Sequence, residues 1–332
     1  MDSTKRIQTG TLPTWSRGIP AAANADQEAH GPSRSLGALV WRRFRRHKAA
    51  LFAIAVLVGL MAYSAAGPLF VTETYANATN TALRLQAPSR AHPFGTDSVG
   101  RDVLARTVYG GQISLLIGLL AVAVEVSIGV LIGAIAGYYG GVVDSALMRF
   151  TEAMFNIPQL FLLLVMAKFF GGKIPTLHLL GRSFSGNVIV IVLILGLTSW
   201  MYLARIVRAN VLSLKEREFV LAAHTVGASH SHIIRRHILP NTMAPIIVSA
   251  TLGVANAILS EAYISFLGLG VQPPTATWGN MLDGSYNYIG TAPWLWVFPG
   301  SLILLTVLAI NFIGDGLRDA LDPRSLIPGE QS

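Results

Sequence analysis

Four histidines close together in the chain, His224, His230, His232 and His237, form the densest group of side chains able to hold a metal or move a proton. A helical zinc pair stands one turn apart, at i and i+4. His230 and His232 fall on different faces of a helix, and His232 and His237 are five apart, so the spacing favours solvated imidazoles. Glu125, Asn256 and Glu261 lie inside apolar runs. There a polar group is costly and faces a bundle interior or a wet cavity. The three could line a solute path, join helices by hydrogen bonds or, for Glu261 near the end of its run, sit at the interface. Gly171-Gly172-Lys173-Ile174 has a Lys after Gly, but neither the spacing nor the hydroxyl of a phosphate-cradling G-x-x-x-x-G-K-[ST] loop. No H-E-x-x-H and no G-x-S-x-G occurs, and there is no cysteine for thiolate or disulfide chemistry. The expectation is a chain with no catalytic centre, no metal and no cofactor of its own.

The elements that must position these residues are membrane helices. Hydrophobic residues make up 52% of the 332 positions and charged residues only 13%, too apolar for an ordinary soluble domain. The apolar residues are bunched into blocks near 20 long, the length that crosses about 30 Å of hydrocarbon. Six blocks qualify: Ala49 to Phe70, Ile113 to Ala136, Thr151 to Phe170, Asn187 to Leu203, Ala244 to Ile264 and Trp294 to Gly314. They lack the alternating polarity of barrel strands, so the predicted fold is an all-α polytopic membrane protein with six transmembrane helices. The fourth block is the least secure, because it is short and runs into Arg205 and Arg208. Gly129, Gly133 and Gly137 recur every fourth residue in the second block, which permits close helix packing.

The formal charge of +8 could suggest nucleic acid, but its placement argues for membrane orientation. Arg42, Arg43, Arg45, Arg46 and Lys48 stand just before the first block, where basic residues hold a flank in the cytoplasm. With the amino terminus inside, most of the 25 Lys and Arg fall on inner segments, and none lies in the stretch from Ser265 to Pro293. Both termini are then cytoplasmic. Residues 1–40, rich in small residues and proline, read as a disordered tail. Residues 41–324 read as the membrane domain and 325–332 as a short end. No loop is long enough for an independent catalytic domain.

The inner loop 206–241 reads as two short helices. Leu212, Leu214, Phe219, Val220, Ala222 and Ala223 give the first an apolar side. Gly227 allows the turn, Ser229 caps the second helix, and Pro240 is expected to stop it before the fifth block. Such a corner can dock into a partner's groove or be a plain surface loop. Outside, the Ser265 to Tyr288 segment, with Trp278 and Tyr286, reads as an interfacial helix and loop that could cap a path, receive a protein or simply anchor at the interface.

Ala222-Ala223-x-x-x-Gly227-Ala228, followed by Ile238-Leu239-Pro240, resembles the EAA loop of bacterial ABC import permeases. Leu221 stands where that motif carries its Glu. Four further stretches are similar to dipeptide and oligopeptide importer permeases: Pro93 to Asp97 with Gly100-Arg101-Asp102, Gly137 to Gly141, Ser265 to Pro274 with Trp278 to Met281, and Asn311 to Arg324. The last resembles the C-type member of the permease pair. The resemblance implies a type I importer permease without its own ATP site. Its expected partners are a homologous second permease, two cytoplasmic ATPases that bind ATP and Mg, an extracytoplasmic substrate-binding protein and membrane lipid. Peptides are the implied cargo, with nickel complexes, glutathione or sugars as alternatives. A passive channel or secondary transporter is the rival class, and it would need no docking corner.

Overall fold

The computed structural model describes residues 36–322, apart from 171–172, 174, 176 and 180–181. The expected tail up to residue 35, the expected end 325–332 and most of the Gly171-Gly172-Lys173-Ile174 run lie outside the described residues. Eleven helices are present among the described residues: α1 (Leu36–Phe44), α2 (Lys48–Ala66), α3 (Glu73–Asn77), α4 (Val103–Tyr139), α5 (Gly141–Phe155), α6 (Gln159–Phe170), α7 (Gly186–Lys215), α8 (Glu218–Thr225), α9 (His230–Ile233), α10 (Leu239–Phe266) and α11 (Trp294–Leu321). Residues 36–40, assigned to the tail, belong to α1. A small antiparallel ribbon, β1 (Leu177–Leu179) with β2 (Arg182–Phe184), precedes α7.

The glycine repeat finds its partner in α7. The nearest α7 atoms to Gly129, Gly133 and Gly137 belong in turn to Leu203, Ala204 and Arg208. A Cβ on Gly133 would lie 2.5 Å from the Ala204 carbonyl oxygen, so the two backbones touch only because no side chain intervenes. The ascending order on both helices makes α4 and α7 parallel. Two parallel neighbours require the chain between them to return across the full thickness. The α5–α6 pair therefore makes one crossing, although the third expected span, Thr151 to Phe170, is not one straight helix. The pair bends by 82° at Asn156-Ile157-Pro158, where the proline disfavours helical backbone before it and removes an N–H.

Among the described residues five helices are individually long and apolar enough to span, and the bent pair, counted as one span, makes a sixth. The fourth span is longer than expected, since α7 continues past Arg205 and Arg208 to Lys215. Leu212 and Leu214 accordingly belong to α7 and not to the loop's first helix. α10 runs against α4: Gly253 faces Glu125, Ile258 packs on Gly118, and Glu261 meets Ser114. α2 and α11 close the flank, with Ala50 against Gly316 and His47 3.7 Å from Asp319. The start of α2 and the end of α11 thus lie on the same side.

Pro240 does not stop a helix. The chain is helical from His230 to Phe266, because a π turn at Ile234–Ile238 comes just before the proline. Its wider ring, closed by Leu239 N donating to Ile234 O, relieves the crowding that a proline ring imposes on the preceding turn.

Candidate functional site: a polar cavity and an exposed helical turn

One face of α10 is polar at helical spacing: Ser249, Gly253, Asn256, Ser260 and Tyr263 follow one another at intervals of four and three. This stripe lines a cavity of about 1310 Å³. Thr198, Tyr202 and Asn210 of α7 face it, and the α5–α6 corner contributes Gln159. Asp315, Arg318 and Asp319 of α11 stand at the end that also carries the start of α2. Glu125 and Asn256, both expected on a path, meet in this cavity. Among the described residues no hydrogen bond or ion pair engages Glu125, and a Cβ on Gly253 would come within 3.3 Å of its Oε2. The periodicity of Ser249, Ser260 and Tyr263 was available in the sequence, but only the packing tells a wet stripe from a helix contact.

Glu261 is elsewhere. It is fully buried between α4 and α10, accepting hydrogen bonds from Ser265 Oγ at 2.7 Å and Ser114 Oγ at 3.3 Å. Gly279 of the outer loop presses against the same carboxyl. Of the alternatives left open by sequence, Glu261 takes the helix-joining one. Trp278 likewise is no interfacial anchor. It is completely buried, and its Nε1 donates to the Thr107 carbonyl at 2.8 Å, so the outer loop is plugged into the α4 surface. Tyr286 remains exposed.

The expected coupling residues form a compact corner. Helix α8 ends in a Schellman arrangement: Ala228 N donates to Ala223 O and Gly227 N to His224 O, with Gly227 at φ +79°. Ser229 Oγ accepts from His232 N and starts α9. Ala223, Val220, Ile233 and Ile238 are buried and pack with Leu203, Val207 and Val211 of α7. The opposite side is open: Ala222 and Gly227 are exposed, Leu221 is 54% and Val226 83% exposed, and nothing lies within 4 Å of a Cβ built on Gly227. Ala228 and Leu239 are half-buried, and Pro240 is exposed at the start of α10.

Spacing alone did not foresee the partners of the histidines. Tyr138, at the end of α4, places its hydroxyl 2.8 Å from His230 Nδ1 and 3.2 Å from His224 Nε2. The two imidazoles therefore belong to a hydrogen-bonded cluster that fastens both loop helices to α4. His232 is exposed and, like His237, stands apart from that cluster. Among the described residues no group of three or more His, Cys, Asp or Glu could hold a metal ion.

Comparison with known proteins gives this geometry a family. Residues 129–326 match the model of the binding-protein-dependent transport system inner membrane component, and residues 35–88 match the N-terminal TM domain of oligopeptide transport permease C. A putative peptide permease protein of Brucella suis biovar 1 (strain 1330) is 45% identical, over 85% of this chain and 89% of that protein. The oligopeptide transport system permease protein OppC of Haemophilus influenzae (strain ATCC 51907 / DSM 11121 / KW20 / Rd) is 39% identical, over 92% of this chain and 94% of that protein. A solved inward-facing structure of the MetNI methionine ABC transporter superposes with TM-score 0.50 at 20% identity, covering 65% of this chain and 96% of that chain, which shows the shared fold. With apolar helices enough for five or six crossings and a family model over more than half its length, the chain belongs to the binding-protein-dependent inner-membrane transport components, the permeases of ABC importers, and is a permease of the C type.

Proposed function

We propose that this chain is the C-type membrane subunit of an importer that carries di- or oligopeptides across the cytoplasmic membrane. The relatives bear names of peptide transport. In this assembly it pairs with a homologous second permease and receives cargo from an extracytoplasmic binding protein. Two cytoplasmic ATPases bind ATP and Mg, and the chain itself performs no catalysis and holds no cofactor. Its basic flank from Arg42 to Lys48 and the Arg217, Arg235 and Arg236 of the loop lie at one end of the bundle, which supports both termini being cytoplasmic.

The observation that carries the proposal is the unbroken helical run His230–Phe266. Its first turns pack into the corner formed by Ala222, Ala223, Gly227 and Ala228, and its later turns carry Asn256 into the polar cavity opposite Glu125. A partner that seats the corner moves the cavity wall with it. ATP drives transport only if the closed ATPase pair favours one arrangement of the two permeases over the other, and this helix is the contact through which that preference acts.

Pull-down of the solubilised chain from its native membrane tests the proposal, with wild type set against Gly227→Asp. The charge obstructs seating; because any side chain is strained at this positive-φ turn, continued copurification of the second permease is the control that the fold survives. An ATPase and a second permease accompany the wild type, and the ATPase alone is lost from the variant. Absence of any ATPase from the wild type in several mild detergents overturns the coupled importer.

A further inference from the structure

At the opposite end of the bundle from the coupling corner, a second cavity of about 230 Å³ lies between the 97–106 corner and the 280–288 loop. Arg106, on the first turns of α4, lines it and is 3% exposed. A guanidinium carries five donors in a rigid fork and stays charged, so burying it demands acceptors. Among the described residues its one hydrogen-bond acceptor is the neutral Asn77 Oδ1, at 3.1 Å. The carboxylates nearby are otherwise placed. Asp97 is held by Arg101 Nε at 2.6 Å and by the Val99 and Arg101 amides. Asp102 caps α4 at Ala105 N and pairs with His92 Nδ1 at 2.8 Å. Asp283 lies exposed at the rim of the cavity. Arg101 also lines the pocket, its Nε spent on Asp97 and its terminal nitrogens without a hydrogen-bond partner among the described residues.

A buried cation with one neutral partner, opening on a cavity, is a site awaiting an anion. We propose that this pocket binds a single carboxylate, seated on the Arg106 guanidinium and assisted by Arg101. The cavity is large enough for more than a lone water, and Asn287 and Tyr288 at its mouth add polar edges. A carboxylate reaches it either on a free solute, such as the carboxyl end of a short peptide, or on an acidic side chain of a docked protein. The site stands on the geometry of Arg106 and does not depend on the import proposal.

The test is thermal unfolding of the solubilised full-length chain in sodium acetate against sodium chloride of equal ionic strength. Wild type gains a saturable, acetate-specific rise in Tm. Arg106→Gln loses that rise, and Arg106→Lys retains a reduced one. Because Arg106→Gln removes a buried side chain, Asn287→Asp supplies an independent arm. It places a carboxylate at the mouth of the same cavity with Arg106 intact, so it raises Tm in chloride and weakens the acetate effect. Replacing acetate by Ala-Ala or its carboxamide identifies the source. A rise with Ala-Ala but not with the amide assigns a free solute, and a rise with acetate alone assigns a docked protein's side chain. An acetate effect that is absent from wild type, or equal in wild type and Arg106→Gln, overturns the proposal.

Discussion

The Arg208 guanidinium grips the Asp144 carboxylate with two donors, Nε to Oδ1 and Nη2 to Oδ2. The pair joins the first turn of α5 to α7 beside the Gly137 contact, and so fixes how the chain leaves α4 for its return crossing. Asp144→Asn removes one charge from a half-buried fork and lowers stability by about 1–2 kcal/mol, read as a fall in Tm. Arg208→Lys, which keeps the charge but not the fork, falls between wild type and Asp144→Asn. Equal Tm values for all three proteins exclude the pair as a fastening.

Gly133→Ala forces the α4 and α7 backbones apart, since the new Cβ meets the Ala204 carbonyl oxygen at 2.5 Å and Val207 Cβ at 2.8 Å. Overpacking of this kind costs about 1–3 kcal/mol. Gly59→Ala on α2, where no atom lies within 4 Å, is the matched control and leaves Tm unchanged or slightly higher. Thermal unfolding of the two variants side by side separates seam packing from general glycine effects.

Glu261 is buried and hydrogen-bonded whereas Glu125 lines a polar cavity, and leucine at each position tests what that difference does. Glu261→Leu leaves the Ser114 and Ser265 hydroxyls without their carboxyl partner, with a loss of about 1–3 kcal/mol in stability and no change in substrate preference for the surviving protein. Glu125→Leu removes no hydrogen bond among the described residues and leaves Tm near wild type, while it changes uptake rate or preference in vesicles carrying the whole transporter. Reversal of the two phenotypes would exchange their assignments.

Leu221→Glu introduces the carboxylate that the related loop motif carries. Leu221 is 54% exposed, so the substitution leaves the fold intact, and surface changes of this kind stay within about 0.5 kcal/mol. ATP-driven uptake continues at a rate equal to or above that of wild type. Loss of uptake with an unchanged Tm would mean that the partner groove is shaped for an apolar side chain.

Apolar length alone located five single-helix spans and the bent pair that counts as a sixth, because each helix must satisfy its backbone internally and bury or face lipid with its side chains. The breaks were less visible. Pro240 is expected as a terminator and is accommodated by a π turn, whereas Pro158, inside the third expected span, sits at the 82° bend, since a proline's effect depends on whether the preceding turn can widen. The cap at Gly227 and Ser229 was legible, because local hydrogen bonding decides it. The pairing of His224 and His230 through Tyr138 was not, because α4 and the loop are far apart in sequence. For the same reason Glu261 and Glu125 looked alike. What separates them is the hydroxyl of Ser114 and the backbone of Gly279, neither of which the span itself contains.

The parallel seam of α4 and α7 sets an order of events at the ribosome. The roughly 70 residues between Gly137 and Arg208 take on the order of several seconds to synthesise at about 5–20 residues per second. Until they emerge, the bare ridge of Gly129, Gly133 and Gly137 faces lipid or some temporary neighbour. Any small-faced helix present during that interval, including that of another nascent permease, competes for the groove that α7 later fills, so the chain is most vulnerable to mispairing midway through its own translation.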